Sequence, residues 1–526
     1  MCGIFALFCK NKFYTLDTIN KAFQQIKHRG PDSSSIIEVK HNIWLGFHRL
    51  SINDLSDKGM QPFNIGKIFL ICNGEIYNSA VLKREYKLDT ISNSDCEVII
   101  HLYKKFGIYE TIKKLHGVFS FALFDLENSV TYCAIDRIGV RPLFYQIDDN
   151  LNFCLSSEAK GMDGINLNTI NQLRAGHILE ITDNSYGFSC YYSLPKCLYF
   201  KGNLDDLRNK LINSVKLRLM SDRPIGCLLS GGLDSSLIAS ILAKHFGLKL
   251  NTFTIGFEDS TDLEYARKVS EFIGSTHHEI IIKYEDVIKR IPEIIKSIET
   301  YDITTIRAST AMYLASEYIK KNFDNPVIFS GEGADEILGG YLYFHSSPNI
   351  SEFEKESRRV SRDLQFFDVL RADRCTAAHG LELRVPFLDQ DFVKYCFEVD
   401  PEFKKPVNNI EKYCLRKAFE GYLPHDILWR KKEALSDGVG GIKKPWFKYI
   451  QEFARIHFSQ YFTQSDFIKS QEIAKICNLK HYMSEESLYY YKVFKETYNF
   501  EPIPYYWMPR WNDVNDPSAR ILKNNL

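Results

Sequence analysis

The sequence has no charge excess of either sign: over 526 residues, 66 Lys and Arg balance 66 Asp and Glu, and the pI is near 7.2. That balance argues against a global attraction to nucleic acid or to an anionic membrane surface, and neither is expected as a partner. No apolar run approaches the ~18 residues of a membrane helix. No basic segment precedes a longer apolar core at the N-terminus, and Gly3 is not the second residue, so neither a secretory signal nor standard myristoylation is expected. Internal repeats and low-complexity tracts are also missing. The 13 cysteines are scattered, odd in number and without a CxxC pair. They suit reduced thiols in a cytoplasmic protein better than a disulfide framework or a structural zinc site.

What is present divides into two regimes, as a chain of this length allows. Up to Pro195, short β-rich runs dominate: GIFALF, IWLGFHRLSI, IFLICNGEIY, VFSFALFD, VTYCAID, PLFYQI and LNFCLSS. Residues 126–129 and 148–150 join the last four into two hairpins, which predicts antiparallel sheet. Only TLDTINKAFQQIKHRG and SDCEVIIHLYKKFGIYETIKKLHG read as helical covers. After Pro195, strands and helices alternate: IGCLLS, SSLIASILAKHF, NTFTIGF, LEYARKVSEFIG, HHEIII and PVIFS. This pattern predicts a doubly wound parallel sheet whose ligands bind at the carboxyl ends CLLS, TIGF and VIFS. The expected fold is an α+β layered domain over 2–195 followed by an α/β domain over 205–526.

The sharpest local signal is SGGLDSS, Ser230 to Ser236, joining an apolar strand to an amphipathic helix. Paired glycines let the backbone approach an anion, and the helix start offers unpaired N–H groups and a positive dipole end. The loop lacks the GK[ST] of a Walker motif, which disfavours simple kinase or ATPase chemistry. Asp234 is placed to hold a magnesium ion on pyrophosphate. SGEGADEILGGY, Ser330 to Tyr341, brings three carboxylates to a second strand end. SDGVG, Ser436 to Gly440, follows Lys431 and Lys432, cations for a developing negative charge. The phosphate loop resembles that of the AMP-forming N-type ATP pyrophosphatases.

Cys2 raises a different possibility. Loss of Met1 would leave a thiol and an α-amino group on one residue, and an α-amine titrating near ~8 can act as a general base where a lysine cannot. The structural alternative is a small buried hydrophobe at a strand start. HRGPD (His28 to Asp32), HRLSI (His48 to Ile52), NGEIYN (Asn73 to Asn78), SDCEVI (Ser94 to Ile99) and DRIGVRPLFY (Asp136 to Tyr145) resemble the class II glutamine amidotransferases, which are N-terminal-nucleophile hydrolases. The resemblance implies an αββα fold with Cys2 as nucleophile and Asn73 with the Gly74 N–H as oxyanion hole. It also implies Arg49 on the glutamine α-carboxylate, Glu75 and Asp95 facing its α-ammonium, and Leu50, Ser51, Ile52 and Asn53 lining the pocket. Asn53 departs from the apolar residue often found there, but the family contact runs through backbone.

Over nearly the whole chain, IETYDITTIRAST (Ile298 to Thr310), SGEGADEILGGYLYFHSSPN (Ser330 to Asn349), GLELRVPFLD (Gly380 to Asp389) and NDPSAR (Asn515 to Arg520) resemble the glutamine-hydrolysing asparagine synthetase family. That likeness implies a ligase using ATP and Mg²⁺, with glutamine, aspartate and ATP as small-molecule partners and a homodimer as the frequent assembly. Aspartate would be activated as β-aspartyl-AMP and attacked by ammonia carried from the first site. By the same resemblance, Leu228, Ile255, Ser330 and Gly331 border the adenosine. Ser230, Gly231, Gly232, Leu233, Asp234, Ser235 and Ser236 hold pyrophosphate, and Asp234 and Asp335 take the magnesium. Lys432 serves adenylation, Glu332 receives the ammonia proton, and Thr305 and Arg307 bind aspartate. A β-lactam synthetase-like enzyme and a catalytically silent regulatory homologue are the alternatives.

Overall fold

In the computed structural model, residues 1–432, 439–440, 445–458, 463, 465, 468, 472, 484–500, 506 and 508–511 are described. The first half holds strands β1 (Gly3–Phe8), β2 (Ser33–Lys40), β3 (Ile43–Arg49), β4 (Phe63–Ile65), β5 (Ile68–Ile76), β6 (Gly117–Asp125), β7 (Val130–Ile135), β8 (Phe144–Ile147), β9 (Phe153–Ser156), β10 (Asn171–Gln172), β11 (His177–Thr182) and β12 (Tyr186–Cys190). Its helices are α1 (Leu16–Gln24), α2 (Ser79–Tyr86) and α3 (Val98–Lys114). Two six-stranded sheets form, ordered β10-β8-β9-β1-β3-β2 and β12-β11-β7-β6-β5-β4. All of their strand pairs are antiparallel.

Alternation builds the layers, because successive side chains point to opposite faces. Ile4 and Ala6 of β1 meet Ile71 of β5 and Ala122 and Phe124 of β6 between the sheets. Phe5 and Leu7 face Ile19, Ala22 and Phe23 of α1. Phe119, Phe121 and Leu123 of β6 pack on Ile99, Leu102 and Ile112 of α3. Both expected hairpins form, β6 with β7 and β8 with β9. Three helices form where two are expected: α2, whose eight residues SAVLKREY bury little beyond Ser79 and Leu82, has no apolar face to mark it. Strands β2 and β12 are likewise unexpected, being mostly solvent-facing and weakly patterned.

In the second half, β13 (Ile225–Leu228), β14 (Asn251–Phe257), β15 (Thr276–Ile282), β16 (Val327–Phe329) and β17 (Glu382–Arg384) form one parallel sheet ordered β15-β14-β13-β16-β17. Helices α4 (Leu204–Leu217), α5 (Leu233–Ser240), α6 (Thr261–Ile273), α7 (Tyr284–Ile298), α8 (Ile303–Asn322), α9 (Ala334–Leu338), α10 (Ile350–Asp363) and α11 (Asp368–Ala377) accompany it. The direction of winding reverses between β13 and β16. SGGLDSS follows β13 and SGEGADEILGGY follows β16, so both lie at the switch point where an open α/β sheet receives ligands. The core of this half continues into the first through Met1, Leu50, Ile52, Tyr77 and Val118.

Candidate active sites

Cys2 stands at the head of β1, between β3 and β9. Its Sγ accepts the Leu50 N–H at 3.4 Å, and its carbonyl accepts from Arg29 Nε at 3.0 Å. The fully buried Arg29 is forked onto Asp373 at 2.8 and 3.2 Å and donates to Glu158 at 2.7 Å. A chain end that would ordinarily fray is thereby fixed by charge-assisted bonds. Burial pushes the thiol up to about 11, against the neighbouring terminal ammonium and the Leu50 contact. Met1 is present and buried; its amine donates to Leu381 O at 3.2 Å and is lowered by burial to about 6. In this form the Cys2 nitrogen is a peptide nitrogen, and the free α-amine belongs to Met1.

Around the thiol, Arg49 ends β3 with its guanidinium held by the carbonyls of Ser56, at 2.6 Å, and Asp54. Asn73 and Gly74 lie within β5, and Asn73 is 1% exposed. Its Nδ2 has no hydrogen-bond partner among the described residues, an orphaned donor of the kind an oxyanion would satisfy. Ser51 N donates to Asp32 at 2.8 Å and Ile52 O accepts from Asp222 N at 3.0 Å, which fixes the Leu50–Asn53 segment. Glu75 and Asp95 converge, with Asn53 between them: its Nδ2 donates to Glu75 Oε2, and to Asp95 Oδ1 at 3.2 Å. The Asn53 side chain thus bridges the two acids. Burial raises both carboxyls; Glu382 and Asp95 add to the effect on Glu75, while Arg384, 3.4 Å away, opposes it.

The second site forms at the switch point. Ser230 N donates to Ser235 Oγ at 3.1 Å, and Gly232 N to Ser230 Oγ at 3.3 Å. Gly231 has φ +70°, and a Cβ there would stand 2.5 Å from the Ala266 amide. A Cβ on Gly331 would stand 2.7 Å from Ser235 N and 2.8 Å from Asp234 Cβ, so the two loops touch through glycine. Leu228 ends β13, Ile255 lies in β14, Leu233 begins α5, and Ser330 is buried beyond β16. Ser236 Oγ is fully buried with no hydrogen-bond partner among the described residues.

Lys412 Nζ ties the loops together, 2.8 and 2.6 Å from the Asp234 oxygens and 2.6 Å from Asp335 Oδ1. Lys432 Nζ adds a bond of 2.6 Å to Asp335 Oδ2. Burial works against the Asp335 charge, but Lys412 and Lys432 overcome it and hold the carboxyl well below its usual range. Glu332, beside it in the same loop, accepts from Arg371 Nη2 at 2.7 Å. Burial and Asp368 raise it, and Arg371 holds it back.

One site therefore surrounds a thiol and a pair of acids, and the other a phosphate-type loop beside a second acidic loop. The glutamine amidotransferase domain family matches residues 1–181, and the asparagine synthase family matches 206–365 and 346–492. The asparagine synthetase [glutamine-hydrolyzing] of Rattus norvegicus is 42% identical over 99% of this chain and 98% of its own length. The Homo sapiens protein of the same name shows 42% over the same shares. The chain belongs to the glutamine-hydrolysing asparagine synthetase family. Among solved structures, the allosteric regulatory enzyme of purine biosynthesis gives a TM-score of 0.33 at 16% identity, over 53% of this chain and 80% of that one.

Within this asparagine synthetase family member, Thr305 and Arg307 both lie on α8. Thr305 N is capped by Asp302 at 2.8 Å, and Arg307 is paired with Glu486 at 2.9 and 2.7 Å. Arg307 shares a cavity with Phe257, Thr310 and Trp446. Residues 436–438 of SDGVG and the whole of NDPSAR lie outside the described residues. Sequence reasoning missed Lys412, Arg371, Asp373, Glu382 and Arg384. The last two lie in GLELRVPFLD, whereas Lys412 sits in IEKYCL, which has no local motif.

Proposed function

We infer that this chain carries out glutamine-dependent asparagine synthesis, with its two steps divided between the two sites. The Cys2 thiolate attacks the γ-amide of glutamine; the Cys2 α-amine, once Met1 is removed, takes the thiol proton and passes it to the departing ammonia, and water then hydrolyses the thioester to release glutamate and restore the thiol. Asn73 Nδ2 and the Gly74 N–H receive the oxyanion, a contribution of roughly 3–4 kcal/mol per donor in other enzymes. Arg49 holds the α-carboxylate in a fork, and Glu75 and Asp95 hold the α-ammonium. At the switch point, a β-carboxylate oxygen of aspartate attacks the α-phosphorus of ATP and pyrophosphate leaves. Ammonia then attacks the acyl carbon, AMP departs and Glu332 accepts a proton.

Adenosine lies against Leu228, Ile255, Ser330 and Gly331, and residues 230–236 hold pyrophosphate. Lys432 offsets the charge that develops on adenylation, and Thr305 and Arg307 serve aspartate. Asp234 and Asp335 fit a magnesium site, being hard oxygen donors brought together from two loops. Bound there, Mg²⁺ would supply charge neutralisation of the polyphosphate. We place the domains at 2–195 and 205–526. We propose a cytoplasmic setting, a reading that the free thiols of the described cysteines support. A homodimer is the expected assembly, checked by sedimentation.

What supports this reading most is the convergence of Asp234, Asp335, Lys412 and Lys432 from four separate stretches of chain onto one point. Incubation with glutamine, aspartate and ATP tests it, with asparagine, AMP and pyrophosphate expected in equal amounts. Release of ADP, or failure of aspartate to be consumed, would count against it.

A further inference from the structure

The chemistry above makes no use of the Asn53 carboxamide. Its side-chain amide nitrogen uses both N–H donors on the acid pair Glu75 and Asp95, which are 4% and 5% exposed. The backbone carrying it is fixed on both sides. Ile52 O accepts from Asp222 N at 3.0 Å, and Asp54 N donates to Asp222 Oδ2 at 2.9 Å. Asp54 itself is held in the left-handed region at φ +61°, with its carboxylate accepting from Ser56 N at 3.0 Å and Asn93 N at 2.8 Å. Asn53 is half-buried, so its carboxamide can swing out by side-chain rotation without any movement of this pinned loop.

An amide nitrogen set between two buried carboxylates imitates a substrate ammonium in position and in the bonds it donates. A cation would be held more strongly there, because its full positive charge adds Coulomb attraction to the bonds it donates. We propose that the Asn53 carboxamide is a built-in competitor for the α-ammonium of glutamine, closing the Glu75–Asp95 pair until substrate displaces it and so setting the glutamine affinity of this chain. This rests on the reading of Glu75 and Asp95 as the ammonium site. A competitor that occupies the pair most of the time lowers apparent affinity by the fraction of time the pair is open. Its effect is confined to ligands that carry the ammonium.

The test uses the full chain with Cys2→Ala, which binds glutamine without turning it over, and compares it with Cys2→Ala/Asn53→Val and Cys2→Ala/Asn53→Ala by calorimetry. Both double variants are expected to bind L-glutamine about 3- to 30-fold more tightly. Glutaramic acid, which is glutamine without its α-amino group, should show no such gain. With Cys2 intact, Asn53→Val should lower the glutamine KM, and ammonia-dependent synthesis serves as the measure of correct folding. Unchanged or weakened glutamine binding in both double variants overturns the inference, as does an equal gain for glutaramic acid. No binding of glutamine by the Cys2→Ala chain overturns the ammonium-site reading and the inference together.

Discussion

The two sites treat their carboxylates in opposite ways. Glu75 and Asp95 are buried with little cationic compensation, Arg384 standing 3.4 Å from Glu75 and an amide, Asn53, bridging the pair. Burial raises both. Asp335 is also buried, yet two lysines keep it ionised. On the proposed reading the ligands account for the difference: an acid pair that receives an ammonium gains its cation when the substrate arrives, whereas acids beside a polyphosphate need cations in place before more negative charge arrives. Both sites nonetheless share two elements. On α11, Arg371 holds Glu332 while Asp373 holds Arg29 and, through it, the Cys2 carbonyl. On β17, Arg384 O accepts from Ser330 N at 3.0 Å while its guanidinium faces Glu75.

The contrast is broken most completely by Cys2→Ala. Glutamine-dependent synthesis should fall by about 10⁴-fold or more, with ammonia-dependent synthesis retained; loss of both in a folded variant would contradict separate sites. Next comes Lys412→Met, which removes the cation closest to both Asp234 and Asp335 and leaves Lys432, 2.6 Å from Asp335 and 4.0 Å from Asp234, to offset both charges. Breaking a buried pair in this way costs about 3–5 kcal/mol. Synthesis from either nitrogen source should collapse and the melting temperature should fall, while glutamine hydrolysis, followed as glutamate release, continues. Asn73→Ala removes one oxyanion donor and should lower the glutaminase kcat by about 10²- to 10³-fold. A change in glutamine KM alone would reassign Asn73 to ground-state binding.

Legibility in the sequence divides along a physical line. Short β-rich runs bounded by turn residues made β1, β3 and β5 to β9 readable, and alternating strands and helices made the parallel sheet readable, because each pattern is local. Short or exposed elements such as α2, β2 and β12 bury too little to leave a pattern. SGGLDSS and SGEGADEILGGY were legible as a candidate ligand site because strand, glycine and acid adjoin in sequence. Lys412 was not, since its partners lie 178 and 77 residues away. Arg29 was visible within HRGPD, but its role depends on Asp373, 344 residues downstream. Asn53 shows the same limit at short range: its departure from an apolar residue could be seen, whereas the turn of its amide toward Glu75 depends on a loop pinned by Asp222.

The finest comparison lies within the second site, between Asp335, which is held ionised, and Glu332, which burial raises. A proton acceptor works only in its deprotonated form, so the acid limb of ammonia-dependent synthesis should lie above the ordinary carboxylate range. Arg371 opposes that rise from 2.7 Å. Arg371→Met removes the cation and favours the neutral acid, so the limb should move to higher pH by about one unit, while Arg371→Lys, which keeps the charge, should move it less. The profiles must be taken at constant free NH₃, because the fraction of ammonia that is unprotonated itself rises with pH. Coincident profiles for the native chain and Arg371→Met would separate Glu332 from the proton transfer and leave Arg371 as a packing residue of α11.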